Sequence, residues 1–454
     1  MAGKLCQHDA LGESKGRKYS VADKHSGALV VDENNEVDAD SPSNPEKIKP
    51  DIGTVAQGVH ILGGLGNALT VELGGSVLQI DTGNSVDMAK SMIGGLRKIT
   101  QDPVSTIAFS HGHLGYNFAL GVWLAAAKEA GHDTPNIIAQ QNALQLIDQY
   151  MQTEPLMKML LELQMNMDKA IPQLPLARPN ATFSDGQTLY GNDREIQLLS
   201  APSETAGAIA AWIPDVEVLY GGPACISLIP NAGMPLWPTG DVRIWADTLD
   251  RLARLQAKVL VRSYGTVIRG ADEVQSYLST TARALRFLRS AVIQKLNEGV
   301  DLNTALHTIY YPPDLFDHSY LRSTYGSKED IVRQVWYSIT GWWDRNPTNL
   351  ESVPRQEVAN EIAGAISDPR AVIDRAVVLC GEGKHKLALH VIDLLAQADP
   401  DACDVAAEAR ALKANICAQL ADESKNFAVK SLYESSSRVL DGKFLDNKVV
   451  TGVH

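Results

Sequence analysis

The sequence predicts an α/β fold of stacked layers followed by an all-α region. Between residues 54 and 271, short apolar runs broken by glycines alternate with helical stretches. Several of these runs, such as VEVLYGG, are continuously apolar, which is typical of strands covered on both faces. Beyond about residue 272 the strand pattern stops, and amphipathic stretches such as TARALRFLRSAVIQKLNEG predict successive helices.

We expect three segments along the chain. Residues 1–53 are predicted to form a polar arm, because their Asp, Glu, Asn, Ser and Lys content cannot bury much apolar surface. Residues 54–271 are predicted to form the α/β domain. Residues 272–454 are predicted to form a helical domain for packing or assembly, whose last three helical stretches resemble one tetratricopeptide-like unit.

Charge and composition narrow the class of partner. The 454 residues include 41 basic and 54 acidic side chains, and the net charge of −13 argues against nucleic acid or an anionic membrane as the main partner. The five cysteines lack metal-type spacing, and the first residues lack the apolar segment of an export signal. We therefore expect a reduced, cytoplasmic protein. No apolar run approaches the roughly 20 residues of a membrane-spanning helix.

Two histidines one residue apart suggest half of a metal site. His111 and His113 in FSHGHLGYNFAL follow the apolar run VSTIAF, so both imidazoles should lie on the loop that leaves a buried strand. Neutral imidazole is the commonest metal ligand in proteins. A polar loop without a metal is the alternative that these two residues leave open.

A carboxylate stands at the end of an earlier predicted strand. SVLQIDTG ends near Asp81, which is placed to hold a histidine N–H from outside the ligand set, although Asp-Thr-Gly is also an ordinary turn. The order strand, Asp, helix, strand, His-x-His resembles the metallo-β-lactamase superfamily, whose signature is His-x-His-x-Asp-His.

The resemblance becomes more specific downstream. YGSKEDIVRQVWYSITGWWDRNPTNL (325–350) is similar to the dimerisation domain of the alkylsulfatases of that superfamily, and the similarity extends over approximately residues 55–440. It implies a metallo-β-lactamase αββα sandwich followed by an all-α dimerisation domain, and a two-fold homodimer. The sterol-carrier-like third domain typical of those enzymes is expected to be missing.

The resemblance also implies the ligands of one metal ion. The family's first zinc ion is held by the His-x-His pair and a later glutamate, which match His111, His113 and Glu204 of LLSAPSETAG. Two imidazoles and one carboxylate suit catalytic zinc and also non-haem iron(II). We therefore expect one divalent metal ion, with zinc favoured and iron or manganese as alternatives.

The family's ligands for a second zinc ion are replaced in this sequence. The Asp and His that close the signature are matched by Gly115 and Tyr116, and a late His is matched by Tyr264. The glutamate that bridges both ions aligns with Pro223 or with the glycine before it. We expect the two tyrosines to fill the vacated volume, either as proton donors or as packing, with Asn117 as a candidate orienting group.

These features predict a mononuclear metal-dependent hydrolase for a small, largely apolar substrate, with Tyr116 or Tyr264 as the acid. A sulfate ester is not expected to be that substrate, because Pro238 or a neighbour stands where the family has a sulfate-pocket arginine. The apolar segment 224–237 and the Met-rich segment 154–167 are candidates for the pocket lining, although a Met-rich helix is more often part of the core.

Two other functions stay open at this point. A lyase, isomerase or oxygen-using enzyme would keep the metal and use a tyrosine for proton transfer, with Asn117 orienting it. A non-catalytic binding or assembly protein would depend on the helical domain alone. A serine hydrolase and a nucleotide site are not favoured, because Ser203 lacks a Gly-x-Ser-x-Gly elbow and LGGLGNAL (62–69), expected to be a hairpin turn, lacks a Lys-Ser/Thr ending.

Overall fold

The computed structural model describes residues 51–167, 171, 173–237 and 240–442. Residues 1–50 of the predicted arm and Pro238 lie outside this range. Among the described residues, one compact unit falls within 43–157 and 173–345, and the other within 158–172 and 346–454. The first unit holds both sheets and the second is helical.

The strands of the first unit form two sheets. The seven-stranded sheet contains, in spatial order, β1 (Gly53–Ala56), β2 (Val59–Ile61), β3 (Leu69–Glu72), β4 (Val77–Ile80), β5 (Val104–Ala108), β6 (Asn136–Gln140) and β7 (Ala181–Phe183). The six-stranded sheet runs from β13 back to β8 and contains β8 (Gly186–Tyr190), β9 (Glu195–Ser200), β10 (Ile209–Ile213), β11 (Val218–Gly222), β12 (Val259–Arg262) and β13 (Ile268–Arg269).

Strand direction changes within each sheet. In the first sheet, β1 to β4 pair antiparallel and β4 to β7 pair parallel. In the second sheet only β11 and β12 pair parallel. The glycine-rich segment 62–68 connects the antiparallel strands β2 and β3, so the predicted hairpin turn is confirmed.

The described residues also contain fourteen α-helices. They are α1 (Val86–Ile99), α2 (Leu120–Glu129), α3 (Gln141–Gln152), α4 (Glu154–Met165), α5 (Val242–Ala253), α6 (Ala271–Asn297), α7 (Leu302–Thr308), α8 (Pro313–Phe316), α9 (Lys328–Thr340), α10 (Arg355–Ala365), α11 (Pro369–Gly381), α12 (His385–Ala396), α13 (Ala406–Glu423) and α14 (Phe427–Leu440). Several begin at a side chain that accepts a backbone N–H, including Ser85 before α1 and Asp241 before α5.

Three apolar cores hold the first unit together as four layers. The central core joins the facing sides of the two sheets, for example Leu78 of β4 with Ile209 of β10. A second core packs α1, α2 and α3 on the outer face of the first sheet. A third packs α5, α6 and α9 on the outer face of the second, with Trp245 fully buried. This is the predicted αββα sandwich, and the predicted fold class is confirmed.

The second unit is a helical assembly with its own core. Buried side chains of α11, α12 and α13, among them Leu379, Ile392 and Ile416, form that core. The end of α4 also belongs to this unit, since the hydroxyl of Ser435 on α14 donates to Leu163 O at 2.7 Å. The predicted domain boundary at residue 272 marks the end of the sheets, whereas the compact unit that contains them continues to residue 345.

Within the described part of the chain, no helix combines the length and apolarity required to cross a bilayer. Four described cysteines are buried and free of disulfides, namely Cys225, Cys380, Cys403 and Cys417.

Candidate metal site

The predicted site residues follow strands that end near one another. Asp81 follows β4, and the His-x-His loop follows β5, its parallel neighbour. Glu204 follows β9 in the other sheet. The backbone N–H of Ile209 on β10 donates to Ser110 O at 2.8 Å, which joins the histidine loop to the second sheet. The ends of buried strands thus bring the candidate ligands from both sheets together.

His111, His113 and Glu204 form one compact cluster. One candidate ligand atom from each residue lies within 4.8 Å of the others. Glu204 Oε2 is 3.6 Å from His111 Nε2, and Glu204 Oε1 is 3.3 Å from His113 Nδ1. The two imidazole rings are inclined by 65° with centroids 4.9 Å apart. Glu204 therefore lies beside the histidine pair, although it follows His113 by 91 positions in the sequence.

The donor atoms of this cluster fit a metal ion. Among the described residues, His111 Nε2 and His113 Nε2 are buried and have no hydrogen-bond partner. His111 Nδ1 is paired with Ser110 Oγ at 2.8 Å, so the unpaired Nε2 is the nitrogen available as a ligand. Buried polar atoms without partners are costly and rare in folded proteins. A cation between the two imidazoles and the carboxylate would satisfy His111 Nε2, and His113 would bind it through Nδ1, the nitrogen that faces Glu204 Oε1.

The ionisation states of the cluster also suit a cation. Burial, and next the charge of His113, lowers the pKa of His111 to about 3, which keeps this imidazole neutral. Burial alone would raise the pKa of Glu204. The nearby imidazoles of His113 and His111 and a hydrogen bond from Asn231 outweigh burial and lower that pKa to about 2. A neutral imidazole and an ionised carboxylate are the forms that bind metals.

Asp81 supports the histidine loop through a different contact from the one expected. It was predicted to hold a histidine N–H, but its Oδ1 accepts from Ser110 N at 2.8 Å and from Asn117 Nδ2 at 2.9 Å. Its effect on His111 therefore passes through Ser110. Burial raises the pKa of Asp81 to about 6, against the lowering effect of these hydrogen bonds. Asn117 is occupied by this contact rather than directed at a tyrosine hydroxyl.

Tyr116 and Tyr264 come together beside the cluster. Their hydroxyl oxygens are 2.8 Å apart, although the residues are 148 positions apart in the sequence. The Tyr116 ring packs edge-to-face on His111, with centroids 4.3 Å apart. Burial, and next the neighbouring Tyr264, raises the pKa of Tyr116 well above its usual value, so this phenol keeps its proton. The role of the two tyrosines, as proton donors or as packing, stays a prediction.

The positions of the other lost ligands carry no donor side chain. Gly115 has φ of +94°, and a Cβ there would lie 2.8 Å from Leu65 Cδ2. Gly222 has φ of +54°, and a Cβ there would lie 2.3 Å from Ile209 O. Both backbone positions favour glycine. In the described residues, His111, His113 and Glu204 are the only group of three or more His, Cys, Asp or Glu with metal-type spacing.

Several site residues escaped the sequence analysis. Asn231 Nδ2 donates to Glu204 Oε1 at 2.5 Å, and its position as a polar residue within the apolar ACISLIPNAGMPLW was a signal that could have identified it. Tyr325 lies close enough to Tyr116 to contribute to its raised pKa. Ser110, adjacent to the histidine pair, was also overlooked.

Part of the predicted pocket wall lies near these groups. Trp237, the last residue of segment 224–237, packs edge-to-face on Tyr150, with ring centroids 6.5 Å apart. In the Met-rich segment, Met157 belongs to the first compact unit, whereas residues 158–167 belong to the second. Pro238, expected in place of a sulfate-pocket arginine, lies outside the described residues.

Comparison with known proteins shows that this chain is similar to alkylsulfatases. Residues 302–442 match the sequence model of the family described as alkyl sulfatase dimerisation. A linear primary-alkylsulfatase of Pseudomonas sp. is 24% identical over 396 residues, which cover 82% of this chain and 74% of the relative. An (R)-specific secondary-alkylsulfatase of Pseudomonas sp. is 26% identical over 276 residues, which cover 58% of this chain and 40% of the relative.

A solved structure shows the same fold. The stereoselective inverting sec-alkylsulfatase from Pseudomonas sp. superposes with a TM-score of 0.75 at 20% identity, covering 86% of this chain and 66% of that protein. The chain thus spans less than two thirds of that relative's length. The fold is the αββα sandwich followed by helices that the metallo-β-lactamase resemblance implied. Within that class the chain is alkylsulfatase-like, as the sequence resemblance implied.

Proposed function

We propose that the chain is a mononuclear metal-dependent hydrolase that acts on a small, largely apolar substrate. The observation that carries this proposal is the cluster of His111, His113 and Glu204, in which buried imidazole nitrogens have no partner within the described residues. The prediction of a hydrolase agrees with the names of the relatives, which are sulfatases.

Zinc is the ion that we favour for this cluster, with iron and manganese as alternatives. Two imidazoles and one carboxylate form a common catalytic zinc set that leaves a position open. When bound, such an ion supplies Lewis acidity and lowers the pKa of water toward neutrality. Ser110 Oγ orients His111 through Nδ1, and Asn231 holds the Glu204 carboxylate, so the chain fixes its ligands from outside the cluster.

The two paired phenols are proposed to act on the leaving group. A phenol hydroxyl can donate to a substrate oxygen, and the hydrogen bond between Tyr116 and Tyr264 holds both phenols together beside His111. Such a donor stabilises an oxygen that gains negative charge as its bond breaks. Tyr116 keeps its proton until then, because burial raises its pKa.

We propose that the substrate is not a sulfate ester. The relatives are named for alkyl sulfate esters and give no support to excluding such esters here. The prediction against a sulfate ester depends on this chain's own residues, since Gly115, Tyr116 and Tyr264 replace the three ligands expected for a second ion. Sulfate-ester hydrolysis is therefore the second candidate function, favoured by the relatives.

We propose that the chain pairs with a second copy of itself as a homodimer. The matched family is described by its dimerisation role. The adjacent indoles of Trp342 and Trp343, within the segment that resembles the dimerisation domain, are 69% and 41% exposed in the protomer. Exposed aromatic side chains of this size are typical of interfaces. Sedimentation of a Trp342→Glu, Trp343→Glu variant should show a monomer if these side chains lie in the interface.

Elemental analysis and isotope labelling test the function. Protein purified without added metal should contain about one divalent ion per chain, and two ions would contradict a mononuclear site. Hydrolysis of hexyl sulfate and hexyl acetate is then measured in ¹⁸O-water, because hydrolysis places solvent oxygen in a product. Turnover of the acetate alone supports the proposal, turnover of hexyl sulfate supports the second candidate, and a protein that binds no metal contradicts both.

A further inference from the structure

Tyr150 on α3 has a buried hydroxyl that the metal cluster does not explain. The side chain is completely buried, and within the described residues its hydroxyl has no hydrogen-bond partner. Leaving such a group unsatisfied is unfavourable, and a buried hydroxyl usually finds a partner in the protein. A ligand on the side of α3 that carries Tyr150 would supply the missing hydrogen-bond partner.

Helix α3 is held against both loops that carry the candidate ligands. Gly112, between the two histidines, approaches so closely that a Cβ there would lie 3.0 Å from Ala143 O. Gly207, three residues after Glu204, approaches from the other loop, and a Cβ there would lie 2.2 Å from Ala143 N. The first turn of α3 is therefore in contact with the histidine loop and with the glutamate loop.

Tyr150 lies on the face of α3 that carries the contact with the ligand loops. Ala143, Ile147 and Tyr150 form the buried face of α3, so Tyr150 lies two turns beyond the contact with the ligand loops and on the same side. Side chains on a helix lean toward its N-terminus, which directs the phenol back toward the cluster. Trp237 packs edge-to-face on the Tyr150 ring and forms an apolar wall beside it.

The hydroxyl is a hydrogen-bond donor at neutral pH. Burial, and next the negative charge of Glu204, raises the pKa of Tyr150 above its usual value, so the phenol remains protonated. The effect of Glu204 also indicates that the hydroxyl lies within electrostatic reach of the candidate metal ligand. The paired hydroxyls of Tyr116 and Tyr264 lie beside His111 instead.

We propose that the Tyr150 hydroxyl binds the substrate, donating a hydrogen bond to an oxygen of its polar group near Glu204. This inference rests on the proposed function and names a binding residue that is separate from the metal ligands and from the Tyr116–Tyr264 pair. The ligand chemistry that it implies is an oxygen acceptor, as carried by carboxylate and ester groups, with the apolar part of the substrate against Trp237.

The first test does not depend on a substrate. Tyr150→Phe removes only the unpartnered hydroxyl, so the melting temperature of the metal-free protein should stay the same or rise. The matched control is Tyr277→Phe, because Tyr277 is equally buried but its hydroxyl donates to Ile226 O at 2.7 Å. That variant should melt at a lower temperature. If both variants lose stability to the same extent, Tyr150 has a partner inside the protein and the proposal is wrong.

The second test measures ligand binding directly. Protein loaded with cobalt(II) is titrated with acetate, and the visible absorption of cobalt reports the binding of the oxygen anion. Tyr150→Phe should bind acetate roughly 10- to 100-fold more weakly than the wild type, since a hydrogen bond to a charged group is lost. Equal affinity in both proteins, or no response to acetate in the wild type, overturns the proposal. A wild type that binds no cobalt contradicts the proposed function instead, and the melting comparison then decides the status of Tyr150.

Discussion

The site has two neighbouring halves: the ligand half of His111, His113 and Glu204, and the adjoining half of Gly115, Tyr116 and Tyr264. They differ in whether their polar side-chain atoms have hydrogen-bond partners. In the ligand half, His111 Nε2 and His113 Nε2 are buried without a partner in the described residues. In the adjoining half, the hydroxyls of Tyr116 and Tyr264 are bonded to each other, and Gly115 carries no side chain. The first half requires a cation to complete it, whereas the second is already complete. This difference is the physical basis of our proposal of one ion rather than two.

The largest expected effect comes from removing the carboxylate of the ligand half. Glu204→Gln keeps the shape of the side chain but loses the charge, so the protein should lose its metal ion. Metal affinity should fall by more than the roughly 10- to 100-fold that loss of an outer hydrogen-bond partner costs. Equilibrium dialysis with zinc measures it. Glu195→Gln, at the other end of β9, is the control and should bind zinc normally.

Next in size is the loss of the group that orients His111. Ser110→Ala removes the hydroxyl paired with Nδ1 but keeps the backbone N–H bound by Asp81. Zinc affinity should fall roughly 10- to 100-fold. The control is Ser105→Ala on β5, whose side chain is exposed. Unchanged zinc affinity in Ser110→Ala would show that the ligand half does not depend on this hydrogen bond.

The adjoining half should resist conversion into a second metal site. Gly115→Asp supplies the missing carboxylate, but φ of +94° and the nearby Leu65 make the substitution strained. We expect the free energy of unfolding to fall by roughly 1–3 kcal/mol and the metal content to stay at about one ion. Denaturant unfolding and elemental analysis measure the two quantities. Gly121→Asp, at an exposed position of α2 with open space around it, is the control.

The smallest expected effect tests whether the phenol pair is bonded. A double-mutant cycle of Tyr116→Phe and Tyr264→Phe should give a coupling energy of about 0.5–1.5 kcal/mol in the free energy of unfolding. The same cycle with Tyr190→Phe in place of Tyr264→Phe should give no coupling, because Tyr190 is 78% exposed. Absence of coupling between Tyr116 and Tyr264 would contradict the view that this half is already complete.

The sequence predicted the fully buried strands and missed β8, whose side chains lie partly in solvent. Continuous apolar runs identified β4, β5, β6 and β11, which lie inside the sandwich. Strand β8 (GQTLY) escaped because its side chains are partly or fully exposed and give no apolar pattern. Burial on two faces is what made a strand recognisable.

The sequence alone predicted the part of the site that lies within one short segment. His111 and His113 could be proposed from their spacing after a strand, whereas Glu204 came only from the family resemblance, because it belongs to another sheet. Asn231 and Tyr150 were missed for the same reason. Their positions near Glu204 depend on how distant segments pack. A polar residue within an apolar segment marks Asn231, but no local pattern of residues shows that it lies beside Glu204.

The two close glycine contacts with α3 determine how the site meets an incoming ion. Because Gly112 and Gly207 both rest on Ala143, the spacing between the histidine loop and the glutamate loop is set by backbone contact. An arriving cation therefore encounters donors that are already in place, and its uptake should be limited by the shedding of hydration water rather than by loop ordering. A single methyl group at position 207 would force the loops apart while leaving every donor atom in the chain unchanged.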